Sequence, residues 1–225
     1  MSNLNISKMK VAIIGATGFV GSHLLKEALL RGYEVLALVR DPDKVSLQSE
    51  LLTVKTADVF NIGKVSELLA GQDAVISAYN PGWHHESLYD TFLAGAKAIQ
   101  QAAKLAGVRR LLVVGGAGSL EVEPGLQLVD SPSFPQEWKQ GALAARDYLN
   151  VLRTEQQLQW TFLSPAIEMH PGTSGVRTGK YRTGTNQPVF DGERISRISV
   201  EDVAVALLDE VANEHFLNKR FTVAY

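Results

Sequence analysis

The sequence contains no cysteine among its 225 residues. This absence excludes disulfide bonds, thiolate nucleophiles and cysteine-ligated metal sites. A cysteine-free chain is compatible with a reducing compartment, so we expect a cytoplasmic protein. The five histidines include no His-x-x-x-His pair, and we therefore predict no metal site.

Neither sign of charge is in excess, since 22 lysines and arginines face 24 acidic residues. That balance gives no reason to expect nucleic acid or an anionic membrane as a partner. No apolar run reaches the roughly 18–20 residues that span a bilayer, and the polar start of the chain lacks a signal-peptide core. We expect a soluble monomer or small homo-oligomer that binds small molecules.

The most informative motif of the sequence is a glycine turn between a strand pattern and a helix pattern. Val11 to Ile14 are apolar and suit a strand buried on both faces, and helical periodicity follows from Phe19. Gly15, Gly18 and Gly21 lie where the backbone must turn sharply and approach an anion. A helix N-terminus behind such a turn attracts a pyrophosphate, so the segment predicts dinucleotide binding.

Strand and helix patterns alternate through two thirds of the chain, which predicts an α/β fold with a Rossmann-type, doubly wound, mainly parallel sheet. We interpret residues 1–225 as a single NAD(P)-binding domain. A Gly-, Thr- and Pro-rich segment at about 166–200 is predicted to be a small substrate-side flap, with a hairpin near residues 180–189. The other predicted elements are strands at 34–40, 52–57, 73–78, 110–115 and 160–164, helices at 65–69, 87–106 and 140–157, a helix opening at Ser199, and a final edge strand at 220–225.

Ligands of such sheets lie beyond the carboxyl ends of the strands, so these ends define the candidate site. Strand one ends at the glycine turn, which would face the pyrophosphate. The remaining strand ends are Val39–Asp41 at the ribose, Ala57–Val59 near the adenine, Ser77–Asn80, Gly115–Ser119, and Ser164–Ile167 at the nicotinamide.

The end of the second strand predicts which nucleotide is preferred. Arg40 lies about 20 residues after the glycine turn, where an arginine can pair with the 2′-phosphate of NADP. Lys44 could contact the same phosphate. Asp41 could instead accept from a ribose hydroxyl and favour NAD, so both cofactors stay open, with NADP ahead.

Five segments together resemble the atypical short-chain dehydrogenase/reductases, over nearly the whole chain: 15–21 (GATGFVG), 38–42 (LVRDP), 57–59 (ADV), 71–75 (GQDAV) and 160–165 (WTFLSP). The chain is similar to the NAD(P)H-binding group with NADH-flavin reductases, biliverdin reductase B and NmrA-like regulators. The resemblance implies cofactor contacts from Thr17, Gly18, Phe19 and Val20 at the pyrophosphate, Arg40 and Lys44 at the 2′-phosphate, Asp58 and Val59 at the adenine, Ala78 and Tyr79 at the ribose and nicotinamide, and Pro165, Ala166 and Ile167 beyond it.

The sequence departs from dehydrogenases that use a tyrosine with a lysine four residues later to exchange a proton. Tyr148 lies on the expected helix, but Leu152 stands at that spacing. Gly115 and Gly116 also stand where relatives often carry a hydroxyl. The candidate catalytic residues are therefore Ser119, Tyr79 and His84, with Trp138 and Phe134 as a candidate aromatic wall.

Hydride transfer to a flavin needs mostly stacking and positioning, and it fits a site without the tyrosine–lysine pair. The leading hypothesis is an NAD(P)H-dependent reductase of a flavin or another planar acceptor, with flavin as substrate. Two alternatives stay open: a regulatory protein that senses NAD(P) without turnover, and a nucleotide-sugar epimerase or dehydratase.

Overall fold

A computed structural model describes residues 8–225, and it contains ten strands and five helices within that range. The polar start of the chain, on which the expectation of no signal peptide rests, lies outside the described residues except for Lys8 and Met9. The strands are β1 (Lys10–Ile14), β2 (Glu34–Val39), β3 (Leu52–Thr56), β4 (Ala74–Ser77), β5 (Arg110–Val114), β6 (Glu121–Glu123), β7 (Leu126–Gln127), β8 (Gln159–Pro165), β9 (Arg182–Gly184) and β10 (Lys219–Ala224).

Eight strands form one sheet in the order β3-β2-β1-β4-β5-β8-β10-β9. All neighbours are parallel except β9, which pairs antiparallel with β10. The chain winds outward from β1 in both directions, so the order reverses between β1 and β4. That reversal is the switch point at which such sheets bind ligands, and the predicted Rossmann-type fold is confirmed.

The helices cover both faces of the sheet, and β1 shows how the sequence specifies this. Val11 and Ile13 enter one hydrophobic core, while Ala12 and Ile14 enter the other, because successive side chains of a strand point to opposite faces. A strand buried on both sides needs an unbroken apolar run. The helices are α1 (Phe19–Leu30) and α5 (Val200–Asn213) on one face and α2 (Ile62–Leu69), α3 (Leu88–Leu105) and α4 (Gln136–Arg153) on the other.

Two predictions about the C-terminal part are wrong. The final strand is not at the edge, because β9 lies outside β10 and pairs Thr183 with Val223. The expected hairpin at residues 180–189 does not form, since only Arg182–Gly184 is a strand there. The flap therefore adds its strand to β10 and shields what would otherwise be an open edge of the sheet.

Two smaller differences concern the segment after β5. Helix α4 begins and ends four residues earlier than expected, following Pro135 and closing at Thr154. The short pair β6 and β7 was not predicted, since a three-residue strand carries too little periodicity to be recognised.

Within residues 8–225, the helices are too short or too polar to serve as a membrane span.

Candidate functional site

The glycine turn is closed so tightly that two of its glycines cannot be replaced without strain. Gly15 has φ +82°, and a Cβ there would lie 2.6 Å from the carbonyl oxygen of Ala78, the residue that follows neighbouring β4. A Cβ on Gly21 would lie 2.0 Å from the Gly15 carbonyl oxygen. These contacts set α1 directly against the end of β1. The first turn of α1 therefore lies at the carboxyl ends of the strands.

The first turn of α1 is suited to an anion. Gly18 is the N-cap and has no side chain to cap the helix, and the first turn contains no acidic residue. The first N–H groups of a helix have no intrahelical partner and carry partial positive charge. Thr17, Phe19 and Val20 surround this end of the helix and line the adjoining cleft.

The end of β2 carries two cations and one turned-away carboxylate. Arg40 is exposed, lines the cleft, and forms no salt bridge within residues 8–225. Lys44 also lines it. Asp41 does not: one carboxylate oxygen accepts from the Asp43 N–H at 3.2 Å, and the other lies 3.4 Å from Lys44 Nζ. This carboxylate therefore caps its own turn.

A cleft of about 1340 Å³ runs along the carboxyl ends of the strands and gathers most of the predicted site residues. Its lining passes from the end of β3 across β2 and β1 to β4, β5 and β8. The predicted residues that line it are Gly15, Thr17, Gly18, Phe19, Val20, Arg40, Lys44, Asp58, Val59, Ala78, Tyr79, Gly115, Gly116, Pro165, Ala166 and Ile167. Gly21, Ser119 and His84 do not.

Tyr79 lines the cleft, but its hydroxyl donates to the Thr91 carbonyl oxygen at 3.3 Å. The ring lies against Gly95 of α3, where a Cβ would come within 2.5 Å of it. Burial raises the pKa of the Tyr79 hydroxyl above its ordinary value, with Arg40 acting in the opposite direction. The phenol is thus held protonated and engaged with the backbone.

Ser119 and His84 are not brought to the cleft. Ser119 is 2% exposed and accepts from the buried Arg220 guanidinium at 3.2 Å, with Ser164 Oγ 3.4 Å away. It lies behind the wall of the cleft, where β10 meets the loop after β5. His84 is exposed and lies outside the lining, to which its neighbour His85 contributes instead.

Of the two glycines after β5, Gly115 is required by packing, whereas a Cβ on Gly116 would lie 3.9 Å from the Ala145 Cβ, an ordinary contact. A Cβ on Gly115 would lie 2.0 Å from the Phe162 ring of β8, so no hydroxyl-bearing side chain fits there. Gly115 and Phe162 are both visible in the sequence, but their contact could not be predicted from it, because it depends on the pairing of β5 with β8.

Sequence reasoning missed Trp83, which pairs edge-to-face with Trp138 at 5.0 Å between ring centroids. Both indoles line the far end of the cleft, together with the predicted Phe134. A tryptophan beside Pro81 and Gly82 in a loop is a usable signal. Its partner is 55 positions away, so the pair becomes visible only in the folded chain.

These residues fit a nicotinamide dinucleotide: a close-packed glycine turn, an uncapped helix N-terminus for the pyrophosphate, and a strand end with Arg40 for the adenosine. The model of the NAD(P)H-binding family matches residues 15–211 of the chain. The protein belongs to this family, and the resemblance to atypical short-chain dehydrogenase/reductases is confirmed.

The chain is similar to several proteins over almost its full length. YwnB, an uncharacterized protein of Bacillus subtilis, is 39% identical over 96% of this chain and 98% of its own. A candidate epimerase from Bacteroides thetaiotaomicron is 46% identical, with TM-score 0.90 and 97% of both chains covered. A candidate exported protein from Burkholderia pseudomallei is 44% identical, with TM-score 0.85 and 96% and 100% covered. A candidate NADH-flavin reductase from Streptococcus pneumoniae is 36% identical, with TM-score 0.81 and 96% and 99% covered.

Proposed function

We propose that this protein is an NADPH-dependent reductase that reduces a flavin or another small planar acceptor. The observation that carries the proposal is the continuity of the cleft from Arg40, past the glycine turn, to Trp83 and Trp138. Pockets for drug-sized ligands measure roughly 300–1,000 Å³. A cleft of about 1340 Å³ leaves space for an acceptor beside a dinucleotide. The similar protein from Streptococcus pneumoniae, a candidate NADH-flavin reductase, supports the same class.

NADPH is the preferred nucleotide in this proposal. Arg40 and Lys44 line the cleft at the end of β2, whereas the Asp41 carboxylate is used by its own turn. An arginine can donate two hydrogen bonds to a phosphate, and such charge-assisted pairs are about twice as strong as neutral ones. A ribose hydroxyl of NADH offers this cation no comparable partner.

The protein's own contribution is positioning. Tyr148 is 1% exposed and burial raises its pKa, and with Leu152 four residues later it is not equipped to exchange protons. Tyr79 donates to the backbone. A reduced nicotinamide bound here would supply a hydride, a proton with two electrons, to the acceptor and would itself be oxidised, and any further proton on the reduced acceptor would come from water. The residues of this chain bind and align the two rings and exclude water between them.

The test follows NADPH and NADH absorbance with riboflavin, FMN, FAD and a quinone as acceptors. We expect protein-dependent oxidation of NADPH with at least one acceptor, faster than with NADH. The matched control is the Gly15→Val variant, in which the turn cannot close. Rates equal to the protein-free control with all four acceptors would contradict the proposal.

A second candidate is a protein that binds NAD(P) and senses its redox state without turnover. The engaged hydroxyl of Tyr79 and the burial of Tyr148 and Ser119 favour it, because none of these groups is free to transfer a proton in the cleft. Two results together would support it: tight nucleotide binding without oxidation of the nucleotide, and binding of a partner protein only when the bound nucleotide is in one redox state. The buried Tyr148 argues against an epimerase or dehydratase that needs proton exchange there.

The remaining proposals concern compartment and assembly. We propose the cytoplasm, on the absence of cysteine, and a monomer or small homo-oligomer. Cell fractionation tests the first, and a secreted protein would contradict it. Sedimentation measures the second.

A further inference from the structure

Among residues 8–225, the charged side chains that line the cleft all lie in one half of it. Arg40, Lys44 and Asp58 stand at the ends of β2 and β3, around the position proposed for the adenosine. Beyond β4, the lining contributed by residues 8–225 contains no lysine, arginine, aspartate or glutamate. The acceptor half therefore consists of aromatic, aliphatic, glycine and neutral polar residues.

Two histidines lie in this half, and Nδ1 of each ring is engaged with the backbone of its own loop. His85 Nδ1 accepts from the Ser87 N–H at 3.2 Å, and His170 Nδ1 accepts from the Gly172 N–H at 3.1 Å. In this arrangement, Nδ1 of each ring accepts from a backbone N–H and is not offered to a ligand in the cleft.

Three arginines of the flap and of α4 form their hydrogen bonds and ion pairs outside the cleft. Arg177 of the flap forms two hydrogen bonds to the buried Glu27 of α1, at 2.8 and 2.9 Å. Arg182 donates to the main-chain oxygens of Phe190 and Tyr225. Arg146 of α4 pairs with Asp130 and Asp147. None of these three lines the cleft, and no lysine or arginine among residues 8–225 lines its acceptor half.

The two tryptophans give this half its shape. Trp83 and Trp138 remain 49% and 43% exposed, a large apolar area to leave open to water. Trp83 lies against Gly141 of α4, where a Cβ would come within 2.6 Å of its ring. The absence of a side chain at Gly141 therefore lets the loop after β4 reach α4 and close one side of the acceptor half.

We infer that this half binds an uncharged planar ring system on Trp83 and Trp138, and that it does not recognise a phosphate on the acceptor. The inference rests on the proposed function and narrows it: among flavins, riboflavin is bound at least as well as FMN. Aromatic rings gain from stacked and edge-to-face contacts. A phosphate brought here would lose hydration without a compensating cation.

The test measures riboflavin and FMN binding to the protein loaded with oxidised NADP⁺, which allows no turnover. The readout is quenching of flavin fluorescence, excited in the visible band, at about pH 8, where an ordinary imidazole is neutral. Riboflavin and FMN differ only in the phosphate. We expect FMN to bind no tighter than riboflavin, and FMN binding tighter by about threefold or more would overturn the inference.

Variants Trp83→Leu and Trp138→Leu test the ring contact, with Phe190→Leu as control for an exposed aromatic outside the cleft. We expect riboflavin affinity to fall about tenfold in each tryptophan variant and to stay unchanged in the control. A loss under about threefold in both tryptophan variants would also overturn the inference. Retained NADP⁺ binding shows that a variant is folded, and the riboflavin–FMN comparison needs only the wild-type chain.

The two proposals can fail separately. Riboflavin binding that depends on the tryptophans, without NADPH oxidation, would uphold the acceptor site and contradict the reductase. NADPH oxidation with another acceptor, without riboflavin binding, would uphold the reductase and overturn the acceptor site.

Discussion

The two halves of the cleft are built in different ways. The adenosine half comes from short local segments: a strand, a glycine turn and a helix start, followed by Arg40 and Lys44 just after the next strand. The acceptor half is assembled from loops far apart in sequence, with Trp83 and Trp138 meeting across 55 positions. Backbone geometry and charge can specify a cofactor locally, whereas a neutral acceptor surface depends on the tertiary fold.

The largest effect is expected at the glycine turn, which sets α1 against β1 in the adenosine half of the cleft. Gly21→Ala places a Cβ against the Gly15 carbonyl oxygen, so α1 must move away from β1. We expect a loss of about 3 kcal/mol in the free energy of unfolding, the upper end of overpacking costs, and loss of nucleotide binding. Denaturant unfolding and nucleotide titration measure the two.

Gly63→Ala is the matched control, since a Cβ there meets nothing within 4 Å and the residue lies inside α2. Replacing a helical glycine by alanine stabilises by roughly 0.5–1 kcal/mol. If the two variants were equally stable, the tight turn would not be what holds α1 on the sheet.

The next effect concerns charge in the adenosine half. Arg40→Ala should weaken NADPH binding about 10- to 100-fold, the range of a lost charge-assisted hydrogen bond, and leave NADH nearly unchanged. Arg109→Ala is the control, because Arg109 is an exposed arginine just before β5, at the amino ends of the strands and away from the cleft. Titration calorimetry with both nucleotides reads the result, and equal losses for NADPH and NADH would remove the role given to Arg40.

A smaller effect is expected at the flap, which borders the acceptor half. The Asp202 carboxylate is buried and accepts from the Thr178 hydroxyl, the Gly179 N–H and the Tyr225 hydroxyl at 2.6, 2.8 and 2.7 Å. Burial opposes ionisation, but these hydrogen bonds outweigh it and hold the pKa of Asp202 below its ordinary value. We expect Asp202→Asn to cost about 1.5 kcal/mol at neutral pH.

The pH dependence of that loss has a definite sign. Because the carboxyl's pKa is lower in the folded than in the unfolded chain, its stabilisation is complete above about pH 4 and disappears as the pH falls further. The difference in unfolding free energy between wild type and Asp202→Asn should therefore shrink below about pH 4. A constant difference would contradict the assignment. Riboflavin affinity should fall in the variant while NADP⁺ affinity is retained.

The smallest effect is predicted for Ser119→Ala. Its hydroxyl accepts from Arg220 behind the cleft wall, so the variant should lose about 1 kcal/mol of stability and keep the wild-type turnover. Thermal unfolding measures the change in stability, and steady-state kinetics measure the turnover. A fall in kcat of about tenfold with unchanged stability would return Ser119 to the catalytic role that the sequence suggested.

Much of the fold followed from the sequence because the parallel strands are buried on both faces and read as apolar runs, as Val11 to Ile14 do. The flap was harder. Arg182–Gly184 is too short and polar to be recognised as a strand, and it forms one only because β10 offers a free edge. The same addition places the final strand inside the sheet.

The site residues also divide into those that local sequence could predict and those that depend on the tertiary fold. Arg40 was identified by its distance from the glycine turn, because both lie within one strand–helix–strand unit. Ser119 was misplaced, since strand ends predict which residues come near the cleft but not which way a side chain points. Trp83 was missed because its contact with Gly141 joins two elements without any local pattern.

In the proposed arrangement, one cleft holds a charged nucleotide half and a neutral aromatic acceptor half. The most direct measurement is a crystal structure of the protein with NADP⁺ and riboflavin. We expect the 2′-phosphate within hydrogen-bond distance of Arg40 and the flavin ring in contact with Trp83 and Trp138. A 2′-phosphate away from Arg40, or a flavin bound outside the tryptophan pair, would contradict this arrangement.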